Sequence, residues 1–426
     1  MIEVPKRFSG VSAEDWGDWR WQQRNMLRTA GEVARVVALT PDERRGLEAT
    51  AGRFWFGVTP YYASLMDARH PFCPVRMQVI PAAAEAAGAP GDLRDPLGED
   101  ARRPARVVVH KYPDRVLFLA ADRCATYCRH CTRRRITGGE ERGLDRASAE
   151  EGLAYVRAHP EVRDVVVSGG DPLTLSDDRL EWLLSGLRAI PHVEILRVAT
   201  RAPATIPMRV TPALAALLRS FAPLFVVTHF NHPKECTEAA RRACERLVDA
   251  GVPVENQSVL LRRLNSSART IADLNQRLLA WRVRPYYLHQ GDLAEGTAHL
   301  RTPLAVGIGI LAQLRGCTSG LAVPHLAVDL PGGHGKITLQ PGYLLGPGEA
   351  EGPVPGPGGA AAGGWAPGGP HRPDADLAPL VAEPGRAAGH WLRSWQGEPV
   401  FYPEPPEADS DCPYDEVFYG GVGAAA

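Results

Sequence analysis

The pattern of this 426-residue chain predicts an α/β fold built on a partial (β/α)6 barrel, with a helical N-terminal extension and a C-terminal extension. Three observations carry that prediction. Six short, β-branched apolar runs follow one another: Arg115–Ala121, Val162–Ser168, Val193–Thr200, Pro223–His229, Val252–Val259 and Val283–His289. Segments with helical spacing separate them: Ala147–Ala158, Arg179–Ala189, Pro212–Ser220, Cys236–Ala250 and Ile271–Trp281. Strand–helix alternation of this kind makes a parallel sheet. The third observation is that chemically unusual residues fall at or just beyond the ends of these runs, where the loops of a barrel converge on one face.

Domain organisation follows from the same pass. Residues 1–105 read as helical and Trp-rich, with Trp16, Trp19 and Trp21 close together. Residues 106–300 form the barrel core, and 301–345 a segment around Lys336. Residues 346–370 are a Gly/Pro/Ala tract that reads as a flexible surface insertion, and 371–426 a tail that regains aromatics. Lys plus Arg (48) balances Asp plus Glu (49), so no global charge argues for nucleic acid or an acidic membrane surface. No run of 18 apolar residues and no apolar leader core is present, and the expectation is a cytoplasmic protein.

Cys124, Cys128 and Cys131 crowd into eight residues in the spacing C-x3-C-x2-C, whereas the other five of the eight cysteines scatter. Thiolates are the ligands of iron–sulfur clusters. Three local cysteines on a four-iron cubane leave one iron open, which can chelate the amino and carboxylate groups of S-adenosylmethionine (SAM). Tyr127 is an aromatic placed to pack near the adenine. Two other readings stand beside this one: three buried hydrophobes, or a zinc-binding nucleic-acid module with His130 as fourth ligand and Arg133, Arg134 and Arg135 on RNA.

Lys336 follows glycines in VDLPGGHGKITLQPGY. A P-loop fails here, because Leu330 stands where it needs Gly and Ile337 where it needs Ser or Thr. A Schiff-base lysine for pyridoxal phosphate (PLP) fits better, since glycines let a cofactor ring approach. A lone lysine in a glycine-rich loop can also be simply exposed.

The segment CATYCRHCTRRRITG resembles the radical SAM motif of the lysine 2,3-aminomutase family, and VVVSGGDPLTLSD resembles that family's SAM-contacting segment. PGGHGK resembles its PLP-lysine motif. Similarity extends from WGDWRWQQRN to Tyr343 through GVTPYYASLMD, DPLGED, THFNHP, NQSVLL, RVRPYY and HLRTPLAVGIGILAQLRGCTSGLAVP. The resemblance implies a radical SAM barrel and a [4Fe–4S] cluster on Cys124, Cys128 and Cys131. Gly169, Gly170 and Asp171 would approach the methionyl amino group, and His130, Arg201, His229, Gln257 and His289 would lie around the cofactors. PLP would bind Lys336, its phosphate held by Lys111, Tyr112 and Arg115. Lys111 stands where Arg is more usual, so it would act as a point charge.

By the same resemblance Arg133 holds the substrate carboxylate, its planar fork suiting that anion. Asp292 and Asp329 match the acidic positions that bind a distal ammonium, and two facing carboxylates need a cation between them. The implied reaction moves the α-amino group of a basic L-amino acid from C2 to C3 after a SAM-derived radical removes a β-hydrogen. L-Lysine to L-β-lysine is the leading reading and arginine the alternative. The implied partners are a flavodoxin or ferredoxin as electron donor and further copies of the chain in a homo-oligomer. His289 stands where Tyr is expected. Gly291 stands where a larger residue is common, leaving room for a guanidinium. Position 267 is Ser and the tail has only Cys412, so no structural zinc is expected.

Overall fold

The structure, a computed structural model, describes residues 3–89, 91–138, 145–351, 386–393 and 399–403. Two compact units divide the chain, Met1–Gln340 and Pro341–Ala426.

The first unit is built on a nine-stranded sheet in the order β1 to β9. Its strands are β1 (Val108–Tyr112), β2 (Arg115–Ala121), β3 (Asp164–Gly169), β4 (Ile195–Ala199), β5 (Leu224–Thr228), β6 (Val254–Leu260), β7 (Val283–Gln290), β8 (His325–Leu330) and β9 (Gly335–Leu339). β2 to β8 run parallel, and β1 and β9 join the two edges antiparallel. The edges come together: the backbone N–H of Lys336 on β9 donates to the Tyr112 hydroxyl on β1 over 3.0 Å. The sheet thus curls into a nearly closed barrel.

Helices cover the outside of this sheet. They are α7 (Arg146–Arg157), α8 (Asp177–Arg188), the short α9 (Ala202–Thr205), α10 (Pro212–Ser220), α11 (Glu238–Asp249), α12 (Ala268–Ala280) and α13 (Leu304–Leu314). Five begin at a residue whose side chain accepts a backbone N–H of the first turn: Asp145, Ser176, Thr211, Thr237 and Ser267. Such caps satisfy donors that have no partner inside the helix. Ser267 therefore has a structural task of its own. In α8, Leu180, Leu183, Leu184 and Leu187 fall on one face and are fully buried against the strands. Each such side chain contributes roughly 1.5–3 kcal/mol on leaving water.

The six predicted strands lie where the runs placed them. A seventh parallel strand, β8, follows α13, and the edge strands β1 and β9 complete the sheet. α13 hides from periodicity because LAVGIGILAQL is apolar on every side.

Short helices α1 (Ala13–Gly17), α2 (Trp19–Arg24), α3 (Ala30–Ala34), α4 (Pro41–Thr50), α5 (Pro60–Ser64) and α6 (Pro74–Met77) make up the N-terminal region. They belong to the barrel's own core: Trp16, Val58, Tyr62 and Val75 pack in one cluster with Phe118, Leu196 and Val226. No helix among the described residues is long and apolar enough to cross a membrane.

In the second unit, β10 (Leu344–Glu351), β11 (Arg386–Arg393) and β12 (Pro399–Pro403) form an antiparallel sheet. Residues 346–351, expected as the start of a flexible insertion, are instead strand, paired with β11. The rest of that tract, and Trp395 and Cys412 of the tail, lie outside the described residues.

Candidate active site

The C-terminal ends of the parallel strands and the loops that follow them surround a cavity of about 430 Å³ in the first unit. Cys124, Cys128 and Cys131, on the loop after β2, line it together with Lys336, Asp292 and Asp329.

The cysteine loop is braced from both sides. The backbone N–H of Gly170 donates to Ala121 O and that of Asp171 to Arg123 O, at 2.5 and 2.7 Å. A Cβ at Gly169 would sit 2.3 Å from Ala121 O, one at Gly170 2.3 Å from Arg123 O, and Gly169 has φ +113°. The glycines are therefore required by close approach of two backbones. The Asp171 carboxylate turns to its own scaffold. It accepts from Thr200 Oγ1 (2.6 Å), Arg201 N (2.8 Å) and Leu173 N (2.9 Å), which ties the β3 and β4 loops together. From the other side, Glu85 is fully buried between two arginines of the loop, accepting from Arg129 Nη2 at 2.6 Å and Arg134 Nη2 at 2.5 Å. Arg134 also stacks on Phe54.

Arg201 reaches Cys128 directly: its Nη1 lies 2.7 Å from Sγ. Its Nη2 donates to Tyr62, Gln78 and Glu235, so the guanidinium is fixed by three elements. The His229 and His130 rings lie beside it, tilted to one another with centroids 5.3 Å apart. Burial holds both imidazoles neutral, His229 at a pKa of about 3 and His130 well below its usual range. Gln257 lines the same wall from β6.

Lys336 sits on strand β9, and its predicted loop is in fact a hairpin. The register pairs it with Asp329 on β8. Its Nζ donates to Asp329 Oδ2 at 2.6 Å and lies 3.2 Å from His289 Nδ1. Burial, reinforced by the Lys336 charge, keeps His289 neutral. Asp292 accepts from Thr132 Oγ1 at 2.7 Å, and burial raises its carboxyl to a pKa of about 6, with Asp329 adding to the rise. The two carboxylates and the lysine ammonium form one electrostatic group.

On β1 and β2, Lys111, Tyr112 and Arg115 line the cavity. The Arg115 guanidinium lies 4.0 Å from the Tyr112 ring centroid, and burial lowers the pKa of Lys111. Arg133 lines the cavity with part of its fork already engaged. Its Nε and Nη2 donate to Glu99, the shortest contact being 2.7 Å.

Every predicted site residue borders this cavity except Tyr127. Its ring is buried behind the cysteines beside Trp55, on a second cavity of only about 40 Å³. Tyr127 thus lies off the main cavity in this structure. Gly291 also departs from expectation, because a Cβ there would point at Arg301 Cγ, 3.3 Å away. Arg301 is not on the cavity wall, so the small residue opens no room for a guanidinium. Glu99, Thr132 and Glu85 were not singled out as site residues; DPLGED alone marked the segment of Glu99. Among the described residues, no three His, Cys, Asp or Glu side chains are close enough to hold a single metal ion. A zinc knuckle, with ligands about 2.3 Å from one ion, finds no support in this arrangement.

A family model described as the radical SAM superfamily matches residues 119–274, and one described as lysine-2,3-aminomutase matches residues 311–351. The L-lysine 2,3-aminomutase of Acetoanaerobium sticklandii is 46% identical over 80% of this chain and 82% of its own. The chain belongs to the lysine 2,3-aminomutase family. It is an isomerase of the radical SAM type, a class that implies SAM and a [4Fe–4S] cluster. The L-lysine 2,3-aminomutase of Clostridium subterminale is 47% identical over 79% of this chain and 81% of its own. The glutamate 2,3-aminomutase of Clostridioides difficile is 41% identical over 78% of each. Aminomutases with acidic and with basic substrates thus both resemble this chain, and the choice between them falls to its own side chains.

The donor set fits the implied groups. Three thiols from one loop share a wall, an amine faces the same space, and cationic and hydroxyl donors converge on β1 and β2 where a phosphate could be held.

Proposed function

We propose that this aminomutase moves the α-amino group of a basic L-amino acid to C3, converting L-lysine to L-β-lysine. The observation that carries the reading is the pair Asp292 and Asp329 on the same cavity as the three cysteines and Lys336. The chain's own Lys336 ammonium, 2.6 Å from Asp329, illustrates that this carboxylate accepts a primary ammonium. A glutamate side chain would bring a third carboxylate to the pair and be repelled.

In this reading Cys124, Cys128 and Cys131 hold the cluster, with SAM against Gly169, Gly170, His130, Arg201, His229 and Gln257. Lys336 carries PLP, with Lys111, Tyr112 and Arg115 at its phosphate and His289 beside the lysine. When bound, these groups supply the carbon radical and the electron sink that the reaction needs. The protein's part is positional. Arg133 anchors the substrate carboxylate and Asp292 and Asp329 its distal ammonium, so the reacting carbons are held between two fixed charges. Asp329, which accepts from the Lys336 ammonium in this structure, would have to release it to take the substrate's. The barrel walls exclude water from the radicals. A flavodoxin or ferredoxin would deliver the electron, and the chain would assemble as a homo-oligomer.

The test is anaerobic reconstitution with iron, sulfide, SAM and PLP, followed by assay of lysine, arginine and glutamate side by side. β-Lysine as the main product is expected. Turnover of glutamate with none of lysine or arginine would reject the proposal.

A further inference from the structure

We infer that Glu99 is a positioning residue for substrate binding, fixing Arg133 so that one edge of its guanidinium is presented to the substrate carboxylate. The inference rests on the carboxylate role proposed for Arg133.

A guanidinium offers five N–H donors in a rigid fork with distinct edges. Glu99 takes the Nε–Nη2 edge of Arg133, with contacts of 3.1 and 3.2 Å from Nε and 2.7 Å from Nη2. Nη1 makes no hydrogen bond among the described residues, and Arg133 faces the cavity. The Nη1–Nη2 edge, which can bind a carboxylate through two parallel bonds, is the one left over. Glu99 is only 5% exposed, so the pair is little screened and the side chain has little freedom.

Glu99 is itself held by a loop that clasps the barrel seam. Arg135 pairs with Asp95 and Asp100 on either side of it. Pro96 O accepts from the backbone N–H of Gly332, at the turn before Lys336, over 3.1 Å. Leu97 O accepts from Lys111 Nζ over 3.4 Å. A Cβ at Gly98 would lie 3.0 Å from Gly332 and Gly333 backbone atoms. One loop therefore touches the arginine segment after the cysteines, β1, and the lysine hairpin. Its single carboxylate on the cavity wall is aimed at Arg133. As an anion beside the substrate carboxylate, Glu99 would repel it if Arg133 were absent. The pair must therefore act as a unit.

The test uses holoenzyme without reductant, which binds substrate but does not turn over, and measures lysine and lysinamide affinity by calorimetry. Glu99→Ala should weaken lysine binding on the order of tenfold to a hundredfold, the worth of a hydrogen bond to a charged group when its donor is no longer held in place. Glu99→Gln should restore part of the loss. Lysinamide, without a carboxylate, should bind Glu99→Ala and the parent equally. Arg133→Ala should bind lysine more weakly than the Glu99→Ala/Arg133→Ala double variant, because the unpaired Glu99 then opposes the ligand. Unchanged lysine affinity in Glu99→Ala, with Arg133→Ala impaired, would overturn the role of Glu99 and leave that of Arg133 standing. Equal losses for lysine and lysinamide would reduce Glu99 to a structural residue and overturn the inference. Unchanged lysine affinity in Arg133→Ala would reject the carboxylate role itself.

Discussion

Replacing Asp292 with Asn should make the cofactor-free protein more stable while impairing its reaction. Burial moves this carboxyl from an ordinary 3.8 to a pKa of about 6. At 1.36 kcal/mol for each factor of ten, keeping it ionised in the folded state costs at most about 3 kcal/mol. The side chain opens onto a cavity, so roughly 1–3 kcal/mol is expected. The folded value lies above the unfolded one. The carboxyl is therefore harmless below about pH 4, where both states are protonated; the cost builds up between about pH 4 and 6 and is complete above that. Asn has no such cost and still offers an oxygen to Thr132. Thermal unfolding of parent and Asp292→Asn should then show a gain of up to about 4 °C that holds from pH 8 to about pH 6, then shrinks and disappears toward pH 4. The same variant, once loaded, should need at least about tenfold more lysine for half-maximal rate, the charge-assisted contact being gone. A gain that does not change with pH, or no gain with unimpaired lysine turnover, would refute the placement of a strained carboxylate against the substrate ammonium.

Further outcomes are expected. Cys128→Ser should lose the brown visible absorbance of the anaerobically reconstituted protein and all turnover; retained turnover would remove Cys128 from the cluster. Lys336→Ala should lose the imine absorbance of bound PLP, and an unchanged spectrum would move that bond elsewhere. Gly169→Ala forces a Cβ to 2.3 Å from a carbonyl oxygen at φ +113°, and should destabilise the fold by about 2 kcal/mol or more in denaturant titration. Glu85→Gln leaves Arg129 and Arg134 sharing a buried site without a counter-charge and should cost roughly 3–5 kcal/mol. A midpoint within error of the parent would make that ion triad dispensable.

Much of this was readable from local pattern. The strands from Arg115 to His289 announce themselves as short runs because one face of each is buried and the other is largely half-buried, and the cysteine cluster needs only eight consecutive residues. What escaped depends on distance along the chain. β8 follows a helix that is apolar all round, and β1 and β9 are edge strands whose partly exposed residues carry little periodicity. Glu99 gains meaning only when folding brings it to Arg133, 34 residues away, and Thr132 only when it meets Asp292, 160 residues away. Tyr127 lies off the main cavity because adjacency to a cysteine in sequence does not fix the side of the loop on which a ring falls. Gly291 misled because a missing side chain opens space only in the direction its Cβ would have taken.

The three thiols should leave one cluster iron free to bind SAM. Mössbauer spectroscopy of protein reconstituted with ⁵⁷Fe, recorded with and without SAM, tests it directly. One iron of four should change its isomer shift when SAM is added, while the other three stay as they were. Four irons indifferent to SAM, or iron in no four-iron cluster at all, would contradict the account.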